Sequence, residues 1–180
     1  MPFKFIALLF LISTCFADSP APQKDYCINS PNGEYVMVIF HDEKWKDYAV
    51  EDEALRKQYK VAGIYTKGGV LISIIQNHMW GAIVTDYGVG FGLGQWASRG
   101  NFDEIGYYIC KNNETIGIKV QDFIVDTDKL PTSVSHYESI FMLRYHPDMT
   151  AVVIVTMESK AIVYNAKNGE IGDLKNHFRW

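Results

Sequence analysis

From Asp86 to Trp96 every second position is bare: Gly88, Gly90, Gly92 and Gly94 alternate with Val89, Phe91, Leu93 and Gln95. Period two is the side-chain period of a β-strand, so this segment predicts a strand with one face stripped of side chains. A bare face admits a close neighbour, whether a coiled strand, a large aromatic or a ligand. It also eases the bending that a small closed barrel requires. The rest of the chain from Val61 onward is strand-like. Runs at 61–66, 70–75, 82–86, 89–97, 102–110, 115–125, 136–145, 151–158 and 160–164 are separated by turn signals such as Lys67-Gly68-Gly69 and Asn112-Asn113. Short strands punctuated about every 8–12 residues predict a barrel or a sandwich.

Before Val61 the pattern differs. Residues 18–33 are rich in Pro and Asn and predict an extended arm, followed by a first strand over Glu34–Phe40. Asp42 is placed to cap a helix reaching about Lys60, with Trp45, Tyr48, Ala49, Leu55 and Tyr59 at three- and four-residue spacing. Its acids sit early and Arg56, Lys57 and Lys60 sit late, as the helix dipole favours. A short helix is expected over Leu174–Trp180. The expected fold is therefore mainly β: a single antiparallel eight-stranded barrel over residues 34–180, with one N-terminal and one short C-terminal helix.

The first residues change the picture of where the chain works. Lys4, an apolar run from Phe5 to Phe16 and the small residue Ala17 predict a secretory signal peptide over 1–17, too short to span a bilayer. Its removal leaves 163 residues and takes the formal charge from −4 to −5. A mildly acidic chain without basic runs is a poor candidate for nucleic acid or anionic membranes. The expected location is extracellular. There Cys27 and Cys110 are expected to pair, tying the arm to a central strand. The alternative is two buried free thiols. Asn113-Glu114-Thr115 is an N-glycosylation sequon beside a turn.

Several chemistries are excluded by spacing. Counting from Gly88 or Gly90, the third glycine of a dinucleotide fingerprint falls on Leu93 or Gln95, and no helix is expected to follow. The histidines at 41, 78, 136, 146 and 177 show no metal-ligand spacing, so neither metal nor cofactor is expected. A Gly-x-Ser-x-Gly elbow is absent.

Gly63-Ile-Tyr65, Gly68-Gly69, Gly90-Phe-Gly92-Leu-Gly94-Gln-Trp96 and Gly100-Asn101 occur in that order. This series resembles the calycin-like eight-stranded barrels typified by allene oxide cyclase and its dirigent relatives, over about residues 61–165. The resemblance implies a barrel and, at most, cyclase- or isomerase-like chemistry; it places no ligand-contacting residue. A lipocalin is disfavoured, because Gly94-Gln-Trp96 follows Thr85-Asp-Tyr87 instead of preceding it.

Candidate site residues follow from polar groups on apolar faces. Asp122 shares a face with Ile116, Ile118, Val120 and Ile124, and is either a functional acid or a strand-end residue in water. Tyr137, Phe141, Leu143 and Tyr145 form an aromatic face, with Glu138 and Arg144 opposite. Glu138 and Arg144 are most simply solvated; turned inward, they would grip a polar head group. Trp96, Asp122, Tyr137 and Arg144 are thus the ligand candidates, and Asp122 and Glu138 the candidate acids. The expected function is a secreted barrel holding a small, largely apolar ligand. The alternatives are a structural or interaction protein with a filled interior, or a cyclase-like enzyme.

Overall fold

The computed structural model describes residues 22–172, apart from 48, 95–96, 99–101, 127–129, 131–135, 138 and 147–148. The expected signal peptide and C-terminal helix lie outside the described residues, as do Trp96 and Glu138. The fold is mainly β, and its strands form separate antiparallel sheets. No closed barrel is present among the described residues, which corrects the single-barrel expectation.

The first sheet is a meander of β1 (Tyr26–Asn29), β2 (Tyr35–Ile39), β3 (Gly63–Thr66) and β4 (Leu71–Ile74). The second contains β5 (Trp80–Val84), β6 (Gly90–Leu93), β8 (Ile105–Lys111) and β9 (Glu114–Lys119). The third contains β11 (Ile140–Tyr145), β12 (Ala151–Thr156) and β13 (Ala161–Asn165). A two-stranded ribbon pairs β7 (Ala97–Ser98) with β10 (His136–Tyr137). The barrel fails to close because the Ile75–Met79 segment carries the chain off the first sheet, and β5 then pairs with β6 instead of β4.

The sheets pack face to face around β6. Its bare face lies toward the first sheet. A β-carbon added at Gly90 would sit 2.9 Å from Ile64 Cδ1 and 3.0 Å from Met37 Sδ; one at Gly92 would sit 2.6 Å from Met79 Cβ. Met37, Ile64 and Met79 are fully buried there, beside Val84 and Cys110. The opposite face sends Val89 and Phe91 toward the third sheet, against Val152, Ile154 and Tyr164. Tyr107 and Tyr164 join these sheets through a 2.6 Å hydroxyl–hydroxyl hydrogen bond. The glycine ladder thus does what its period predicts, and the close neighbour is another sheet.

Tyr26–Asn29 of the arm is an edge strand that pairs with β2. Three further expectations are corrected. The single helix is two short pieces, a 3-10 turn Glu43–Trp45 capped by Asp42 and α1 (Glu53–Gln58) capped by Asp52. Between them Val50 is drawn into a parallel bridge with Lys24, and extended backbone there cannot continue a helix. The strand expected to run to Val125 stops at Lys119 and turns into a 3-10 segment, Val120–Asp122. Finally, both cysteines are free. Cys27 is exposed and pairs in register with Val38, whose side chain lies under α1, whereas Cys110 is buried on the other side of the first sheet. That sheet separates the two thiols, and burial pushes the Cys110 thiol up to about 11.

Filling the bare face should disrupt this stack in a graded way. Gly92→Ala is expected to lower stability by about 1–3 kcal/mol in urea unfolding, the usual cost of overpacking. Gly94→Ala should cost more, because its β-carbon would meet the rigid carbonyl of Ile105. Gly90→Ala should cost least, because the flexible end of Met37 can move.

Candidate functional site

The sheets have two unlike ends. One end carries tight turns, each holding a residue at positive φ: Gly33, Gly69, Gly88, the Asn112-Asn113 pair, Met149 and Gly169. The other carries the tight β12–β13 turn, with Ser159 at φ 64°, and long connections: 40–62 between β2 and β3, 75–79 between β4 and β5, 94–104 between β6 and β8, and 120–139 between β9 and β11. The last two meet in the β7–β10 ribbon. Two contacts join like ends of the first two sheets, whereas the tip of the β8–β9 hairpin crosses to Ile74, beside the 75–79 connection. Tyr26, at the start of β1, donates to Met79 O at 2.6 Å just before β5, while at the tight end Asn32 N donates to Asp86 Oδ1 at 2.8 Å.

Irregular segments held on a rigid sheet scaffold are where binding and catalytic groups concentrate. The sequence candidates divide accordingly. Asp122 and Tyr137 lie in the long connections, and positions 96 and 138 adjoin the ribbon in the sequence. Asp122 is exposed, and its Oδ2 accepts from Lys119 N at 3.3 Å, closing the 3-10 turn. It is therefore the solvated member of the two alternatives, without the burial that would tune an acid. Arg144 lies apart, near the tight end of β11, and is exposed.

The same end holds a polar knot that the sequence reading missed. The Asp25 side chain is fully buried. Its Oδ1 accepts from His41 N at 2.8 Å and Arg56 Nη2 at 3.0 Å; its Oδ2 accepts from Arg56 Nε at 2.5 Å and Asp52 N at 3.1 Å; His41 Nδ1 lies 3.0 Å from both Oδ1 and Arg56 Nη2, and its tautomer decides whether it donates to the first or accepts from the second. Burial alone would raise its pKa. The Arg56 hydrogen bonds, the two backbone N–H groups and the guanidinium charge outweigh that, and hold the carboxyl at about 2. Arg56 also lies 4.5 Å over the Phe40 ring. His78 is buried nearby; its Nδ1–H donates to Phe40 O at 3.1 Å, Nε2 meets no partner, and burial lowers its pKa. A histidine oriented by an aspartate is half of a nucleophilic triad. Here, however, the aspartate already accepts four hydrogen bonds from Arg56 and two backbone N–H groups, so the group works as a clasp between the arm, the end of β2 and α1. The residues are 16 and 31 positions apart in sequence; the β1–β2 pairing brings His41 to Asp25, and the packing of Leu55 on Val36 and Val38 brings Arg56.

A second latch closes the other flank. Glu158, in the β12–β13 turn, accepts from Val125 N at 3.1 Å, Asp126 N at 2.5 Å and Lys160 Nζ at 2.7 Å. The Lys160 contact, then the Asp126 N–H, holds its carboxyl at about 2. It lines a cleft of about 450 Å³ with Val125, Asp126, Met157, Ser159 and Lys160. No group of three or more His, Cys, Asp or Glu residues is arranged to hold a metal among the described residues. No family model, curated protein or solved structure matches this chain.

Two outcomes follow from these geometries. Asp25→Asn should cost about 3 kcal/mol at neutral pH, because Arg56 is left without its carboxylate. A depressed carboxyl stabilises above its unfolded value of 3.8 and loses that contribution as pH falls toward 2, so wild type and variant should converge across that window in acid unfolding. Glu158→Ala should raise amide hydrogen exchange at Val125 and Asp126 several-fold, while leaving β8 and β12 protected.

Proposed function

We propose that this protein is a secreted interaction module whose long-connection end meets a macromolecular partner. The observation that carries this reading is the filling of both spaces between sheets. Met37, Ile64 and Met79 close the first, and Phe91, Tyr107 and Ile154 close the second, all with 0–2% exposure. A container for a small apolar ligand needs an enclosed apolar hollow, and these side chains occupy the places where it would lie. Successive antiparallel meanders stacked face to face are also how the blades of a propeller are organised. The third sheet extends toward the same four-strand plan through the bridge between Tyr164 and Ile171.

In such a stack the sheets supply rigidity and the connections supply recognition. The Asp25 clasp and the Glu158 latch hold two of those connections in place, which lowers the entropy lost when a partner binds. Secretion is supported by the apolar run from Phe5 to Phe16 behind Lys4.

Native mass spectrometry of the protein from its own source tests this directly. The expected result is a bare chain mass or a complex with another macromolecule. A small-molecule increment that disappears on denaturation would overturn the reading in favour of a ligand carrier.

A further inference from the structure

The first sheet ends on an open strand. Among the described residues β4 pairs only with β3; Leu71, Ile72 and Ile74 on it, and Val70 just before it, are 37, 36, 38 and 62% exposed. Free edges carrying apolar side chains invite pairing with other chains, and folded proteins cover or charge them. Neither Lys nor Glu stands on this strand. What touches its edge is the tip of the β8–β9 hairpin. Asn113 Oδ1 accepts from Ile74 N at 3.1 Å, and Thr115 Oγ1 donates to Ile74 O at 3.2 Å. These are the first and third residues of the sequon Asn113-Glu114-Thr115.

We propose that Asn113 is an N-glycosylated residue whose glycan shields the free edge of β4. Asn112 and Asn113 occupy a two-residue turn at φ of 52° and 63°, the left-handed pair that a tight hairpin requires. The Asn113 residue is exposed at that tip. Its Oδ1 is committed to Ile74, which fixes the plane of the carboxamide and directs Nδ2 away from that bond. A sugar on Nδ2 leaves the Oδ1 bond intact and starts within one residue of the apolar strip. The co-reactant is a lipid-linked oligosaccharide diphosphate met during secretion. The Nδ2–C1 bond forms, the bond from C1 to the diphosphate oxygen breaks, the lipid diphosphate leaves, and one amide proton passes to the transferase base. The inference rests on passage through the secretory pathway and is independent of which partner the long-connection end meets.

The test expresses the full chain for secretion from eukaryotic cells and maps the Asn113 peptide by mass spectrometry. A hexose and N-acetylhexosamine series on that peptide is expected. Peptide amidase should remove it and leave aspartate at 113. Thr115→Ser should keep it, and Thr115→Val should abolish it. A secreted chain with a bare Asn113, or a chain that never enters the pathway, overturns the proposal. Shielding is read separately by sedimentation velocity. Amidase treatment, which preserves a side-chain oxygen at 113, should increase self-association several-fold, and Val70→Lys in the treated protein should reverse it. Unchanged association after glycan removal overturns the shielding role while leaving the modification established.

Discussion

The fold depends on how closely two sheets approach across the bare face of β6. Ordinary stacked sheets stand about 10 Å apart because side chains from both faces fill the gap. Here one face contributes almost nothing, so Met37 and Ile64 of the first sheet and Met79 of the connection that follows it reach the backbone of the second directly. Each is fully buried, and burying such a side chain contributes about 1.5–3 kcal/mol. The ladder continues at the turn, where Gly88 lies against Ile72 and Tyr35, and at the far end, where Gly94 meets the backbone of Ile105. On the other face Phe91 does the reverse and fills the space toward the third sheet. One four-residue strand therefore sets both intersheet distances.

Hydrophobic stacking of this kind has little directional preference. The polar groups at the long-connection end supply it. Asp25 in the arm accepts from His41 at the end of β2 and from Asp52 and Arg56 of the capped helix α1, so one carboxylate joins three segments. The six residues of α1 are too few to be stable as an isolated helix. They hold because Leu55 packs on Val36, Val38 and Tyr65 while Arg56, one residue on, grips Asp25. A buried ion pair is a weak source of net stability compared with apolar packing. Its value here is placement: it sets where the 40–62 connection lies.

Legibility in the sequence followed the range of the interaction. The glycine period, the β character from Val61 onward and turns such as Asn112-Asn113 are local signals, and the structure contains each of them. The barrel was not legible, because closure depends on whether β4 meets β5, and that is decided by the irregular path of Ile75–Met79. Helical spacing from 45 to 59 was genuine amphipathic pattern, but the Lys24–Val50 bridge overrode it from outside the window. Asp122 was read on an apolar face because Ile116, Ile118 and Val120 alternate. The 3-10 turn that begins at Val120 rotates the aspartate out to solvent. The Asp25 clasp had no local signature: an aspartate in a Pro-rich arm gives no sign of an arginine 31 residues away.

The two ends of the stack divide the demands placed on the chain. Strand register is set by turn geometry and by which residues face the core. Most of the tight turns that fix it sit at one end, each with a glycine, an asparagine or Met149 at positive φ, and the β12–β13 turn at Ser159 sits at the other. The opposite end otherwise carries long connections, from five residues at 75–79 to twenty at 120–139. Length costs little in closure entropy, about 0.6 kcal/mol for each doubling. What those connections need is anchoring, and the Asp25 and Glu158 carboxylates provide it from fixed positions at the sheet ends.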